Sequence, residues 1–564
     1  MFVIFATQIE TLRKRLKMKK IIYILVFIPL FCNAQEFDLQ KEKLIKAYEN
    51  IIDFYVDTVN SAQIVESALI EMLKKLDPHS TYIPKKDIKQ VNEPLEGAFD
   101  GIGVYFNLFN DSILITQTIS GGPSELVGLM AGDRIVKIDT ENVAGVGITT
   151  EGVRKRLLGK KGTLVKVGIK RGKLPIMEFD IIRGKIPIFS IDATYMASPE
   201  IGYIKLDRFA ATTLDEFDIA LDKLKSKGMK SLILDLRNNG GGYLNTAIQL
   251  SDVFLKENKL IVYTEGVNNP KNMEYATYSG DFEEGDLVIL IDENTASASE
   301  IVSGAIQDWD RGLIIGRRSF GKGLVQRALK LPDSSFMRLT IARYYTPTGR
   351  SIQKHYTLGG GGDYSKDLQK RMNHGELTNK DSIHFPDSLK FYTKKNHRIV
   401  YGGGGIMPDI FIPLDTSSFP IFIADIFRKG ILHNFCLEYV DKNREFFKNT
   451  YNSFEIYKSN FEANASLIQD LKDKSYKKLF SDTFVVNEKD SVNYKLWKSY
   501  QNNLNETDSI LKIQIKAMVA RNLFTISEYN ELINQNDSSI KKAIHVLNNS
   551  RYYRRKLKGK EDDK

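Results

Sequence analysis

The sequence predicts a multidomain α/β protein, with a mixed α/β core, a smaller β-rich module ahead of it and helical regions at both ends. Three observations carry this. Between 201 and 413, apolar strands alternate with helical runs. Strands such as Leu232-Ile-Leu-Asp-Leu236 and Leu287-Val-Ile-Leu-Ile291 are almost continuously apolar, as expected of a sheet buried on both faces. From Glu96 to Gly184, short strands and glycine turns surround a single helical run, the pattern of a compact β-rich unit.

In chain order, 1–34 is expected to be an export signal. Met18-Lys-Lys20 is a basic start, Ile21–Phe31 is an eleven-residue apolar run, and Ala34 is a small residue before Gln35. That run is short for a membrane span and suits a cleaved signal. Met18 is the expected true start, and the expected location is the periplasm. A lipoprotein, through Cys32, or a membrane-anchored form are the alternatives. Residues 35–95 read as a helical region, with Leu44, Ile45, Tyr48, Ile51, Ile52 and Tyr55 as its apolar positions.

The module at 96–184 has predicted strands Ile102–Phe106, Ile113–Thr118, Arg134–Ile138, Thr163–Ile169 and Met177–Ile182, and a helix Thr150–Leu158. The core, 185–415, has predicted strands Ile201–Leu206, Ser231–Leu236, Leu287–Ile291, Leu313–Ile315 and Phe336–Ala342. Its helices are Thr213–Lys227, Tyr243–Leu255 and Ser297–Asp308. Residues 355–400, polar and carrying the tetraglycine Gly359–Gly362, read as an insertion or flexible flap. Residues 416–564, rich in Lys, Asn and Tyr, show helical periodicity near Ile423–Phe427 and Ile510–Val519 and read as a helical C-terminal domain.

Composition narrows the function. A net charge of +10 over 564 residues is modest, and the basic run Arg551–Lys560 reads as a solvated tail, so no nucleic-acid partner is expected. Cys32 and Cys436 are the only cysteines; after signal cleavage one thiol remains and no internal disulfide can form. The seven histidines are scattered and no Cys/His metal spacing occurs; neither metal nor cofactor is expected.

The chemistry concentrates between Leu287 and Gln326. A buried strand runs through the turn Glu293-Asn-Thr295 into Ala296-Ser-Ala-Ser-Glu300, which opens a helix. A serine there projects from the sheet end, and the amides of the first helical turn can hold an oxyanion. Twenty-five residues after Ser297 (322 − 297), Lys322 lies between two glycines. A lysine is a base only where burial keeps it neutral. Ser299, two residues on, points elsewhere on a helix. The loop Asn238-Asn-Gly-Gly-Gly242 offers free amides at the end of a strand. It lacks the Lys-Ser/Thr that would make it a phosphate cradle. Asp235 and Arg237 suit an internal ion pair. His79 is read as structural.

Thr295-Ala-Ser-Ala-Ser-Glu-Ile301 and Phe320-Gly-Lys-Gly-Leu-Val-Gln326 resemble the motifs of the carboxy-terminal processing (tail-specific) serine proteases, peptidase family S41. Asp77-Pro-His-Ser-Thr-Tyr82, Gly101-Ile-Gly103, Gly128–Asp133, Leu232–Gly242 and Ala342–Gly349 fit the same family in order. The resemblance spans roughly Lys41 to Pro413. It implies a crotonase-like α/β protease core and a PDZ domain that captures protein C-termini by strand addition, with Gly101, Ile102 and Gly103 holding the peptide. It implies Ser297 as nucleophile, Lys322 as base, Gln326 orienting the amine, Gly241 and Ala298 as oxyanion donors, and Asp308 as support. The family commonly has proline where this chain has Gly240. Expected partners are proteins and peptides with exposed C-termini; a homodimer and a membrane-associated adaptor are left open. The alternative is a non-catalytic peptide-binding or protein-binding protein on the same fold.

Overall fold

The computed structural model describes residues 38–277, 280–415, 421–479 and 507–560. The segment read as an export signal lies outside them. Residues up to Leu76 and residues from Asp77 onward are two separate units. The described part of the first holds a helix at 38–54 and a second at Ser61–Lys74, whose first turn is capped by the Asn60 side chain. Leu44, Ile45, Ile51 and Ile52 of the first helix are exposed.

In the second unit, the core is a six-stranded sheet in the order Ile191–Ser198, Ile201–Leu206, Ser231–Asp235, Leu287–Ile291, Leu313–Gly316 and Ile410–Phe411. The first pair is antiparallel and the rest are parallel. The apolar strands alternate between two hydrophobic layers. Leu232, Leu234, Leu287 and Ile289 face a layer that includes helices Thr213–Ser226, Leu244–Asp252 and Ala298–Asp308. Ile233, Val288 and Leu290 face Ile540, Ala543, Val546, Leu547 and Tyr553 on the last two helices of the chain. The C-terminal region therefore has two parts. Among the described residues, those of 422–479 and 507–532 close around a hydrophobic cluster of their own, and the helices Ser538–Asn548 and Ser550–Leu557 cover the second face of the core sheet. Tyr553 is tied there by hydrogen bonds between its hydroxyl and Leu287 N and O, each 3.1 Å.

A second, five-stranded sheet joins Thr81–Ile83, Phe336–Tyr345, Leu260–Gly266 and Asn269–Tyr275, with Leu324–Lys330 also pairing with Phe336–Tyr345. Phe336–Tyr345 therefore belongs to this sheet and not to the parallel one. The module is an antiparallel sheet of Val104–Leu108, Ile113–Thr118, Arg134–Ile138, Leu164–Lys170 and Met177–Ile182, with Glu141–Asn142 paired to the third strand. Helix Thr150–Leu157 starts at Thr149, whose Oγ1 accepts from Gly152 N, and buries Val153 and Leu157 in the module core. The chain enters and leaves the module through a two-stranded ribbon, Ala98–Gly101 against Gly184–Pro187.

The stretch read as a flap is built into the core. It forms helices Gly361–Ser365 and Asp367–Asn373 and a hairpin Lys390–Tyr392/Ile399–Tyr401. Arg371 is buried and donates to Ser319 O and Arg318 O. Most of its residues are exposed or half-buried, and its few buried polar side chains, such as Arg371 and Arg398, bond groups far along the chain, which no local pattern shows.

Candidate active site

Three loops meet at the carboxyl ends of the central strands, where ligands bind in open α/β sheets. The turn after Leu287–Ile291 is bolted to the glycine loop. Asp292 Oδ1 accepts from Asn238 N, and Thr295 Oγ1 donates to Leu236 O. Ala296 N and Ser299 Oγ both donate to Asn239 O. The lysine loop joins them through Phe320 N, which donates to Thr295 O.

Ser297 sits on the last residue of this turn with φ 59° and ψ −116°. That conformation is costly for any residue but glycine, and it persists only where the surroundings impose it. Here the imposing group is Glu300. Its carboxylate is wholly buried and accepts four hydrogen bonds. Oε2 takes Ser297 N (2.8 Å) and Lys322 N (2.9 Å), and Oε1 takes Gly321 N (2.7 Å) and Ser319 Oγ (2.5 Å). Burial pushes its pKa up to about 7, against the opposing pull of those donors. Glu300 thus fixes the main chain of both the serine and the lysine. Tyr344 ties them again, with its hydroxyl 3.0 Å from Ser297 O and 2.5 Å from Lys322 O.

Ser297, Lys322 and Gln326 line one cleft of about 550 Å³, together with Gly240–Gly242, Ala298 and Arg338. The Lys322 pKa is lowered, by burial first and then by the Arg338 charge. Its Nζ donates to Gln326 Oε1 at 3.2 Å, and Gln326 Nε2 donates to His79 O at 2.7 Å, so the amide is oriented with its oxygen toward the amine. The Asp77-Pro-His-Ser turn carries that carbonyl. Asp77 accepts from the amides of His79 and Ser80, and Ser80 Oγ accepts from Thr340 N. Among the described residues no hydrogen bond joins Ser297 Oγ to Lys322 Nζ.

Gly241, with φ +98°, packs against the serine so closely that a Cβ there would stand 2.8 Å from Ser297 Cβ. Its amide, however, is engaged, donating to Asn239 Oδ1 at 2.8 Å. Among the described residues the amides of Ala298 and Gly242 have no acceptor. Asp308 lies three helical turns from Ser297, about 16 Å at 1.5 Å per residue. It pairs with the buried Arg350 at 2.7 Å and accepts from Thr348 N and Oγ1. It anchors the 346–350 turn and does not touch the cleft. Asp308→Ala strands the Arg350 charge and is expected to cost about 3–5 kcal/mol of stability, read as a fall in melting temperature.

Asp235 and Arg237 form the expected ion pair at 2.7 Å, and Arg237 also binds Asp537 of the C-terminal region. His79 turns its imidazole to the Tyr364 hydroxyl at 2.9 Å; burial, then the Lys322 charge, lower its pKa to about 4. Glu300 and Tyr344 entered the sequence reading only within quoted motifs, and neither they, nor Arg338, nor the His79 carbonyl were given a role in the site there. Only Glu300 had a local signal, since Ser297-x-x-Glu300 has the spacing of a capping box.

A second cavity, of about 350 Å³, lies between the module strand Val104–Leu108 and its helix, with Leu157 and Leu158 on the helix side. At its end stand Ile102 and Gly103, whose amides have no acceptor among the described residues; Gly103 has φ +76°. Helix Ile88–Glu96 separates the two cavities. Gln90, Glu93 and Pro94 line the module groove, while Asn92 and Leu95 line the serine cleft.

Comparison with known proteins gives this site its family. Residues 200–360 match Peptidase family S41, and residues 422–525 match a family of unknown function, DUF8443. The chain is 35% identical over 327 residues to the carboxy-terminal-processing protease of Bartonella bacilliformis, covering 57% of this chain and 74% of that one. It is 34% identical over 323 residues to the carboxy-terminal processing protease CtpA of Bacillus subtilis, covering 57% and 68%. Among solved structures, the photosystem II D1 C-terminal processing protease matches with TM-score 0.31 and 27% identity, over 54% of this chain and 83% of that one. The chain belongs to the carboxy-terminal processing proteases of peptidase family S41, which are serine-type peptidases.

Proposed function

We propose that Ser297 is the nucleophile and Lys322 the general base of a serine endopeptidase that engages unstructured protein C-termini. The observation that carries this is the pairing of a strained serine with a desolvated, Gln326-oriented lysine in one cleft. The neutral amine takes the Ser297 proton as Oγ attacks the peptide carbonyl, and the resulting ammonium then protonates the leaving amine. Water, activated by the same amine, releases the acyl group. The Lys322–Gln326 contact presets the amine, and substrate closes the remaining distance to Ser297, as catalytic hydrogen bonds tighten in the bound complex.

Ala298 N–H supplies one oxyanion donor. The turn at Gly241–Gly242 supplies the second. Gly242 has the unengaged amide, and Gly241 serves in that role once its amide leaves Asn239. Without a proline at 240 the loop has the freedom for that exchange.

The module is read as a PDZ domain. Its support is the groove between an edge strand and a helix, closed by two unengaged amides suited to a carboxylate. The apolar groove wall favours tails that end in an apolar residue. Export through the signal at 1–34 is supported by the basic start and apolar run. Deleting 97–184 is expected to remove the preference for a free C-terminus while leaving Ser297 reactive.

The test is cleavage of a disordered protein with an apolar C-terminus by the mature chain, beside Ser297→Ala and Lys322→Ala. Both variants are expected to be inactive, with labelling by a serine-reactive probe lost in the first. Equal cleavage by all three refutes the assignment; tail binding without cleavage by any of them favours a binding protein.

A further inference from the structure

The groove does not end where the module ends. Following the strand Val104–Leu108, residues 103–106 line the groove, and residues 105–107 line a larger cleft of about 620 Å³. The opposite wall runs on in the same way, from Ile188 in the groove to Phe189 and 191–194 in the cleft. The far side of that cleft belongs to the C-terminal helical domain, at residues 521, 522 and 525–527.

Direction follows from the anchor. A terminal carboxylate held by the Ile102 and Gly103 amides leaves only one course for the preceding residues, along Val104–Leu108 toward its far end. That course enters the cleft. Strand Ile191–Ser198, on the cleft wall, is the outer strand of the core sheet and pairs on one side only. Part of that edge is already taken by the C-terminal domain, since Thr194 N donates to Ser527 Oγ at 3.3 Å and Asn534 Nδ2 donates to the Tyr195 hydroxyl; what remains open to an extended chain is the stretch before Thr194. The domain is fixed in register with the module by Arg134, which pairs with Asp441 at 2.6 Å. The cleft carries charges of both signs, Arg521 and Lys223 against Asp192. It suits an extended main chain better than any one side-chain charge.

We propose that the C-terminal domain forms the outer wall of an extended tail subsite, binding the stretch of unfolded polypeptide that precedes the captured terminus. This rests on the reading of the module as a tail-binding domain. The substrate class it defines is a protein whose last ten or so residues are unstructured, selected by the length of the free tail rather than by a residue upstream. The domain is then part of substrate recognition.

The experiment measures binding of C-terminal peptides of about four and about ten residues to the full chain carrying Ser297→Ala. The shorter fills the groove beside the five-residue strand; the longer reaches the cleft. Two or so added main-chain hydrogen bonds predict roughly tenfold tighter binding of the longer peptide. In Asn522→Trp and in Asn522→Arg, which fill the cleft from the C-terminal side, that ratio is expected to fall to near one. As a measurement that needs no cleft variant, the amide of Asp192 is expected to gain exchange protection with the long peptide and not with the short. Equal affinities in the parent, a ratio that survives both variants, or no change at Asp192 overturns the proposal. Indifference of both peptides to C-terminal amidation instead overturns tail capture itself, and this proposal with it.

Discussion

Lys322→Ala is expected to lower kcat by about 10⁴-fold, with folding and tail binding retained, because a serine without its base attacks slowly. Lys322 accepts no structural burden at Nζ beyond the Gln326 contact, while its main chain is held by Glu300 and Tyr344, which the substitution leaves in place. The pH profile gives the sharper test. The base works only when neutral, so kcat/KM rises with pH through the Lys322 pKa. Burial and the neighbouring Arg338 lower that pKa, so the rising limb falls below the ordinary lysine value of about 10.4. Arg338→Ala removes the neighbouring charge that lowers it and moves the limb upward. A limb at the ordinary lysine value, or none, would count against Lys322 as the base. Among titratable neighbours, His79 stays neutral above a pKa of about 4 and does not supply the limb, whereas Glu300, raised to about 7, titrates on the rising side as well; the shift in Arg338→Ala is what assigns the limb to Lys322.

How much of this was legible locally differs from element to element. Strands Leu287–Ile291 and Ser231–Asp235 were plain because both faces are buried, leaving an unbroken apolar run. The module strands fell within about two residues of their predicted bounds, for their alternation and glycine turns are local signals. Strand Asn269–Tyr275 gave none. It is an edge strand of Asn, Pro, Lys and Glu with most side chains exposed, held by its neighbour Leu260–Gly266 and not by a core. Strand Ile191–Ser198 was also missed, since its apolar residues pack partly on helices more than 300 residues later in the chain. The serine and lysine were legible as motifs, but what holds them was not. The Gln326–His79 contact and the Tyr344 bridge span 247 and up to 47 residues, and sequence spacing carries no trace of such pairs. Gly241 shows the same limit on a smaller scale, for its glycine was predictable while the engagement of its amide by Asn239 was not.

Glu300→Gln is expected to lower kcat by about 10²-fold or more, although Glu300 touches no substrate. All four groups around the carboxylate donate to it, three of them main-chain amides and the fourth the Ser319 hydroxyl, which also accepts from Ile406 N and is able to accept once more. A glutamine presents its NH₂ to two of the four and so loses one or two hydrogen bonds to a charged acceptor, each worth about 1.5–3 kcal/mol. Whichever way the amide turns, it faces either the Ser297 and Lys322 amides or the Gly321 amide and Ser319. The positive φ at Ser297 then loses its restraint, or the lysine loop does. The carboxylate also raises the Lys322 pKa while burial and Arg338 lower it. Removing its charge therefore shifts the rising limb of kcat/KM to lower pH even as the maximum falls. A residue that only stabilised the fold would lower the melting temperature and leave the limb in place. The decisive result is the pair of changes together, with KM for the tail unchanged because the module groove is untouched. A full-rate variant with an unmoved limb shows that the clamp is dispensable and that Tyr344 alone holds the serine to the lysine.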